Sequence, residues 1–97
     1  MDKVAVFVIY DRAIDEEVLS ALGECGVQTY TRWHNATGVG STGPHQGDTV
    51  WPALNNVLMA VIEPESRGKI LERLRALRED YPYTGLRALA MPVLEMI

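Results

Sequence analysis

Two stretches of this 97-residue chain, residues 4–10 and 57–62, carry no charged side chain and no alternation of polar with apolar. In the first, Ala5, Phe7 and Ile9 interleave with Val4, Val6 and Val8. In the second, Val57, Met59 and Val61 interleave with Leu58, Ala60 and Ile62. Successive strand residues point to opposite faces, so a sheet wetted on one side shows a polar residue at every second place. These strands are apolar on both faces, and both faces need cover. Each fully buried Val, Ile, Leu or Met is worth roughly 1.5–3 kcal/mol, so a wet face would forfeit much of a small domain's stability. The blander explanation, strand propensity on a wet face, accounts for single exposed residues but less well for a whole row.

The remaining elements decide which face is left open. Asp15, Glu16 and Glu17 supply acids for a helix first turn, and Val18, Leu19, Leu22 and Cys25 recur at helical spacing. Gly26 suits the position after that helix, because glycine takes a positive φ freely. A helix is therefore expected over about 14–25. Residues 27–34, rich in Thr and aromatics, predict a second strand. Residues 55–63 predict a third. Pro64 suits a first helical turn, and Ile70, Leu71, Leu74 and Leu77 form the apolar stripe of a second helix over 65–80. Residues 81–85 read as a turn. Residues 86–94 predict a fourth strand, with Pro92 marking an edge or a bulge.

The order βαββαβ is that of the α+β, ferredoxin-like sandwich, one domain over 1–97. Right-handed crossovers place both helices on one face of a four-stranded antiparallel sheet. The other face is left to a partner, and symmetric self-association is the simplest cover.

Composition narrows the function. With 47% hydrophobic and 23% charged residues the chain is not a disordered one. Nine Lys and Arg against 13 Asp and Glu give a net charge of −4, which disfavours nucleic acid as a partner. One cysteine, Cys25, excludes an intrachain disulfide, and its place on the apolar stripe predicts a core thiol. The start Met1-Asp2-Lys3 lacks a basic leader and residues 4–10 are too short for a span, so the expected location is cytoplasmic.

Between the second and third strands lie about twenty residues, 35–54, far more than a hairpin needs. They hold four glycines and two prolines. Gly38-x-Gly40-x-x-Gly43 matches the dinucleotide-binding string, but that fingerprint requires a helix directly after it, and Pro44 and Gly47 oppose one. A looser reading keeps the glycines as a backbone nest for an anion, with Ser41 and Thr42 as hydroxyl donors. The alternative is a hairpin tip with glycines for freedom alone. His34 and His45 are the metal candidates, joined by Asp48 or Cys25, although their spacing fits no standard ligand pattern. Trp33 and Trp51 flank the loop, where they serve an interface or stack on a planar ligand. Arg12, Arg32 and Arg87 are candidate anion partners, each competing with the role of a solvated surface charge. No nucleophile–base pair stands out, and an enzyme is not expected. The enzymatic alternative, a cofactor-free ferredoxin-like dimer, would enlist Trp33, His34, Asn55 and Asn56.

The first strand, Ile14-Asp15-Glu16-Glu17-Val18 followed by Ala21-Leu22, Gly26-Val27, and Thr31 leading to Gly38-Val39-Gly40 resemble the P-II nitrogen-regulatory superfamily, in its P-II-like branch. The resemblance spans nearly the whole chain. It implies a homotrimer that senses a small effector, commonly an adenine nucleotide, in clefts between subunits. A long T-loop, here 35–54, would then dock on a membrane transporter or an enzyme. Gly38, Val39, Gly40 and Ser41 would be the loop base that meets the effector. Thr84-Gly85-Leu86-Arg87 would stand for the second ligand loop, with Arg87 as a contact. The chain departs from the signalling members in three ways: its loop has no tyrosine, residues 81–87 are compressed, and residues 94–97 hold no basic residue. Some P-II-like relatives are linked to metal or bicarbonate transport, which keeps a divalent metal beside adenine nucleotide as a cofactor candidate. It also keeps a metal-binding trimer as an alternative.

Overall fold

Among the described residues, six strands and two helices follow one another. The strands are β1 (Lys3–Asp11), β2 (Thr31–Ala36), β3 (Gly38–Gly40), β4 (Gly43–His45), β5 (Asn55–Ile62) and β6 (Leu86–Val93). The helices are α1 (Asp15–Glu24) and α2 (Arg67–Asp80). This computed structural model describes residues 2–40, 43–45 and 54–97. Four of the strands form one antiparallel sheet in the order β2-β5-β1-β6, and with the helices they give the βαββαβ order. A separate two-stranded ladder joins β3 to β4.

The central strands alternate in burial as their double-sided pattern requires. Val6, Val8 and Tyr10 of β1 and Leu58, Ala60 and Ile62 of β5 face the helices and are buried. They pack against Val18, Ala21 and Leu22 of α1 and Ile70, Leu74 and Leu77 of α2. The opposite face carries Ala5, Phe7 and Ile9, paired with Val61, Met59 and Val57. On the far side of β1 the same residues pair with Met91, Leu89 and Arg87. Trp33 of β2, aligned with Val57, extends this second apolar surface to the sheet edge. Leu89, Met91 and Trp33 are exposed there.

The ends of the elements show where local chemistry decided. Asp11 closes β1 and its carboxylate accepts the Ala13 N–H at 2.9 Å, capping a 3₁₀ turn, Arg12–Ile14, that leads into α1. Pro64 opens a second 3₁₀ turn, Pro64–Ser66, so the regular part of α2 begins two residues later than the expected 65. Pro92 sits on β6, an edge strand, as its missing N–H demands.

The second strand differs from expectation. It runs Thr31–Ala36, not 27–34. Gly26 adopts φ 86°, and the Val27 N–H closes the helix by donating to the Leu22 carbonyl at 3.0 Å. Val27 therefore belongs to the helix stop. A groove lined by Gly26, Gln28 and Thr29 on one side and Val61 and Glu63 on the other separates the two segments. Pairing with β5 begins only where Thr31 meets Met59.

Candidate functional site

At the end of the sheet from which the long loop leaves, polar groups from three strands meet on one carboxylate of α1. Tyr10, fully buried near the end of β1, donates its hydroxyl to Asp15 Oδ1 at 2.6 Å. Asn56 of β5, 2% exposed, donates from Nδ2 to the same oxygen at 3.0 Å. Arg32 of β2 reaches Asp15 Oδ2 through Nη1 at 3.0 Å. Burial alone would raise the Asp15 pKa. The hydrogen bonds from Tyr10 and Asn56 and the charges of Arg32 and His34 outweigh it, and the carboxyl is held below its ordinary value. Tyr10 is pushed far up, first by burial and then by its bond to Asp15. The phenol stays a donor and the carboxylate stays an acceptor.

The network continues to the loop. Asn56 Oδ1 accepts the backbone N–H of Asn35 at 3.3 Å, and Arg12 Nη1 donates to Asn35 Oδ1 at 3.2 Å. Asn35 has φ 58°, in the left-handed region that asparagine tolerates better than most residues. The β2–β5 register shifts between Trp33 and Ala36, around this residue. Just beyond it Gly38, Val39 and Gly40 pair with His45, Pro44 and Gly43. The loop returns at Leu54, whose carbonyl accepts the Arg12 N–H at 2.9 Å. The Asp11 N–H donates to the Gly85 carbonyl, also at 2.9 Å. Both loop ends and the turn before β6 thus converge on residues 11 and 12.

Among the residues singled out for effector binding, Gly38, Val39, Gly40 and Gly43 lie in this ladder. Ser41, Thr42, Asp48 and Trp51 lie outside the described residues. The ladder gives regular pairing to Gly38–Gly40 and Gly43–His45. Gly43–His45, at the end of the Gly38-x-Gly40-x-x-Gly43 string, is strand. Arg87 stands apart. It shares a row with Ile9, Val57 and Trp33 but occupies the far edge of the sheet. Three strand spacings, about 14 Å, separate it from β2.

Of the metal candidates, Asp48 lies outside the described residues. His34 is exposed on β2, and His45 pairs with Gly38 in β4. Cys25 is buried in the core beside the Lys69 carbonyl, as a core thiol should be. Among the described residues no three His, Cys, Asp or Glu side chains form a metal-binding group. The set enlisted for an enzyme is split: Trp33 lies on the open face, whereas Asn56 is buried on the helix side. Arg32 is not a solvated charge but half of an ion pair. Asp15 does more than face a helix dipole. The sequence does not mark Tyr10 or Asn35 as site residues, and Asn56 appears only in the enzymatic alternative. The available signal was Asn56 itself, an amide at an inward position of an apolar strand.

No family model and no curated protein sequence matches the chain. Solved structures do. CPII from Thiomonas intermedia K12, a nitrogen regulatory PII-like protein whose structure is bound to ADP, AMP and bicarbonate, superposes with a TM-score of 0.77. The match covers 96% of this chain and 93% of CPII at 19% identity. A protein described as PII-like and signalling, from Thermus thermophilus, gives 0.71 over 96% of this chain and 88% of its own, at 22% identity. A DUF3240 family protein from Shewanella baltica gives 0.68 over 97% and 92%, at 13% identity. The fold is that of the PII-like proteins. Among the described residues no helix is long and apolar enough to cross a membrane.

Proposed function

We propose that this chain is a divergent PII-like regulatory protein of the cytoplasm. It forms a homotrimer, binds an adenine nucleotide or another small anion between subunits, and docks on a transporter or enzyme through residues 35–54. The observation that carries the reading is the second apolar sheet face on a PII-like fold. Both helices lie on the other side, so Phe7, Ile9, Val57 and Met59 are left for other copies of the chain to cover. Association also answers the separation of Arg87 from the loop base. The two lie at opposite sheet edges of one chain, and a ring with the β6 edge of one copy beside the β2 edge of the next would bring them together. The likeness to CPII supports ADP, AMP and bicarbonate as the first effectors to try.

Sedimentation equilibrium together with calorimetry tests the proposal. A trimer that binds ADP, AMP or bicarbonate is the expected result. A stable monomer, or a trimer indifferent to all three, overturns it.

A further inference from the structure

We infer that Arg87 of one copy stacks on the Trp33 ring of the next, and that this cation–π contact sets the register in which copies of the chain join edge to edge. The inference rests on the assembly proposed above and deepens it by naming the pair of side chains that joins two copies.

Position is the first argument. Arg87, Ile9, Val57 and Trp33 form one row across the open face. The guanidinium belongs to β6 at one sheet edge and the indole to β2 at the other. About 14 Å lies between these strands, with Ile9 and Val57 in the way, so the contact is one between copies. Both side chains are accessible to a partner: Arg87 is exposed, and Trp33 keeps 48% of its surface.

Charge is the second argument. Three charged strand residues share the open side, namely Lys3, Asp11 and Arg87. Lys3 is paired with Glu63, and the Asp11 carboxylate accepts the Ala13 N–H. Among the described residues Arg87 has no ion pair. Covering this face takes water from its guanidinium, and a flat guanidinium is well placed against an aromatic face, tryptophan best of all. Joining like edges, β6 on β6, would instead bring two unpaired guanidinium groups onto one apolar seam, an arrangement that like-charge repulsion opposes. The cation at one edge and the ring at the other therefore favour a head-to-tail contact, which a ring closes.

Register is the third argument. Every neighbouring pair in the sheet is antiparallel, so β6 meets the next copy's β2 antiparallel when the copies face the same way. With Arg87 opposite Trp33, Leu89 falls opposite Thr31, the first residue of β2. Pro92 then lies beyond the joined stretch, where its missing N–H costs no bond. A slide of two residues in either direction separates the guanidinium from the indole.

Sedimentation equilibrium without nucleotide or bicarbonate tests the contact apart from any effector role of Arg87. The samples are the wild type, Arg87→Ala, Trp33→Leu, the double variant, and an equimolar mixture of the two single variants. Neither position belongs to the helix-side core, so the fold is kept. A desolvated cation–π contact is worth about tenfold in association, and a closed trimer holds three. Each single variant is therefore expected to raise the trimer dissociation constant about a thousandfold. The double variant is expected to assemble no worse than the weaker single one, because either change removes the whole contact. The mixture is expected to assemble about tenfold more tightly than either variant alone, because a ring holding both kinds regains one Arg87–Trp33 pair. Unchanged assembly of either single variant, a double variant weakened by the product of the two, or a mixture no tighter than its parts overturns the contact and leaves the trimer standing. A wild type that stays monomeric or stops at a dimer overturns the trimer reading and the contact with it.

Discussion

Three donors from three strands converge on the Asp15 carboxylate, and that convergence sets how individual residues respond to change. Tyr10→Phe removes the 2.6 Å bond without altering the shape of a fully buried site. Loss of one such bond to a charged acceptor is expected to cost about 1.5–3 kcal/mol, read by urea unfolding. Asp15→Ala leaves the buried Tyr10 hydroxyl and the Asn56 amide without their shared acceptor and is expected to cost about 2–4 kcal/mol at neutral pH. The sign of its pH dependence follows from the pKa. The Asp15 carboxyl is held below its ordinary 3.8 in the folded chain, so its contribution is complete above that value and disappears as pH falls through the folded one. The stability gap between wild type and Asp15→Ala is therefore expected to hold from pH 7 to about pH 5 and to narrow in more acid solution. A gap that widens on acidification contradicts the assignment of Asp15 as the ionised acceptor.

At the scale of elements, glycines of the first helix–strand junction separate two physical effects. A Cβ added at Gly23 or at Gly26 meets nothing within 4 Å, so neither substitution is limited by space. Gly23 lies inside α1, whereas Gly26 follows it with φ 86°. Gly23→Ala is expected to raise the unfolding free energy by about 0.5–1 kcal/mol, because alanine loses less backbone freedom in a helix. Gly26→Ala is expected to lower it by about 1 kcal/mol, because an L side chain resists that backbone region. Thermal unfolding of the pair gives opposite shifts; shifts of the same sign would contradict this account of the helix stop. The same junction shows what the sequence made legible. Apolar periodicity marked both helices and the three strands that flank the core, since burial writes a period into the residues. It misplaced the start of β2, because Val27 reads as a strand former while its N–H is engaged by Leu22. The Gly38–Gly40 and Gly43–His45 ladder left no mark either, since glycines carry no pattern of burial. At the candidate site, the glycines were visible as composition. The links from Asp15 to Asn56 and Asn35 were not, because they join residues up to 41 positions apart through side-chain atoms.

At the scale of the whole molecule, the decisive quantity is the unshared sheet face. Phe7 stands at its centre, between Met59 on β5 and Leu89 on β6. Val8, one residue on, points the other way and is fully buried in the core of its own chain. Substitutions at these neighbours therefore act on different levels of structure. Phe7→Lys puts a charge on the face that the proposed trimer would cover and leaves the helix-side core intact. It is expected to shift the sedimenting species from trimer to monomer at micromolar concentration and to lower the melting temperature, since cover for the apolar face is lost. Val8→Lys places the charge inside the chain's own core and is expected to abolish cooperative unfolding altogether. The contrast tests the claim that one face of this sheet serves folding and the other assembly. If Phe7→Lys sedimented and melted as the wild type does, the open face would be no interface. Arg87 would then have no route to the loop base, because within one chain the full width of the sheet lies between them.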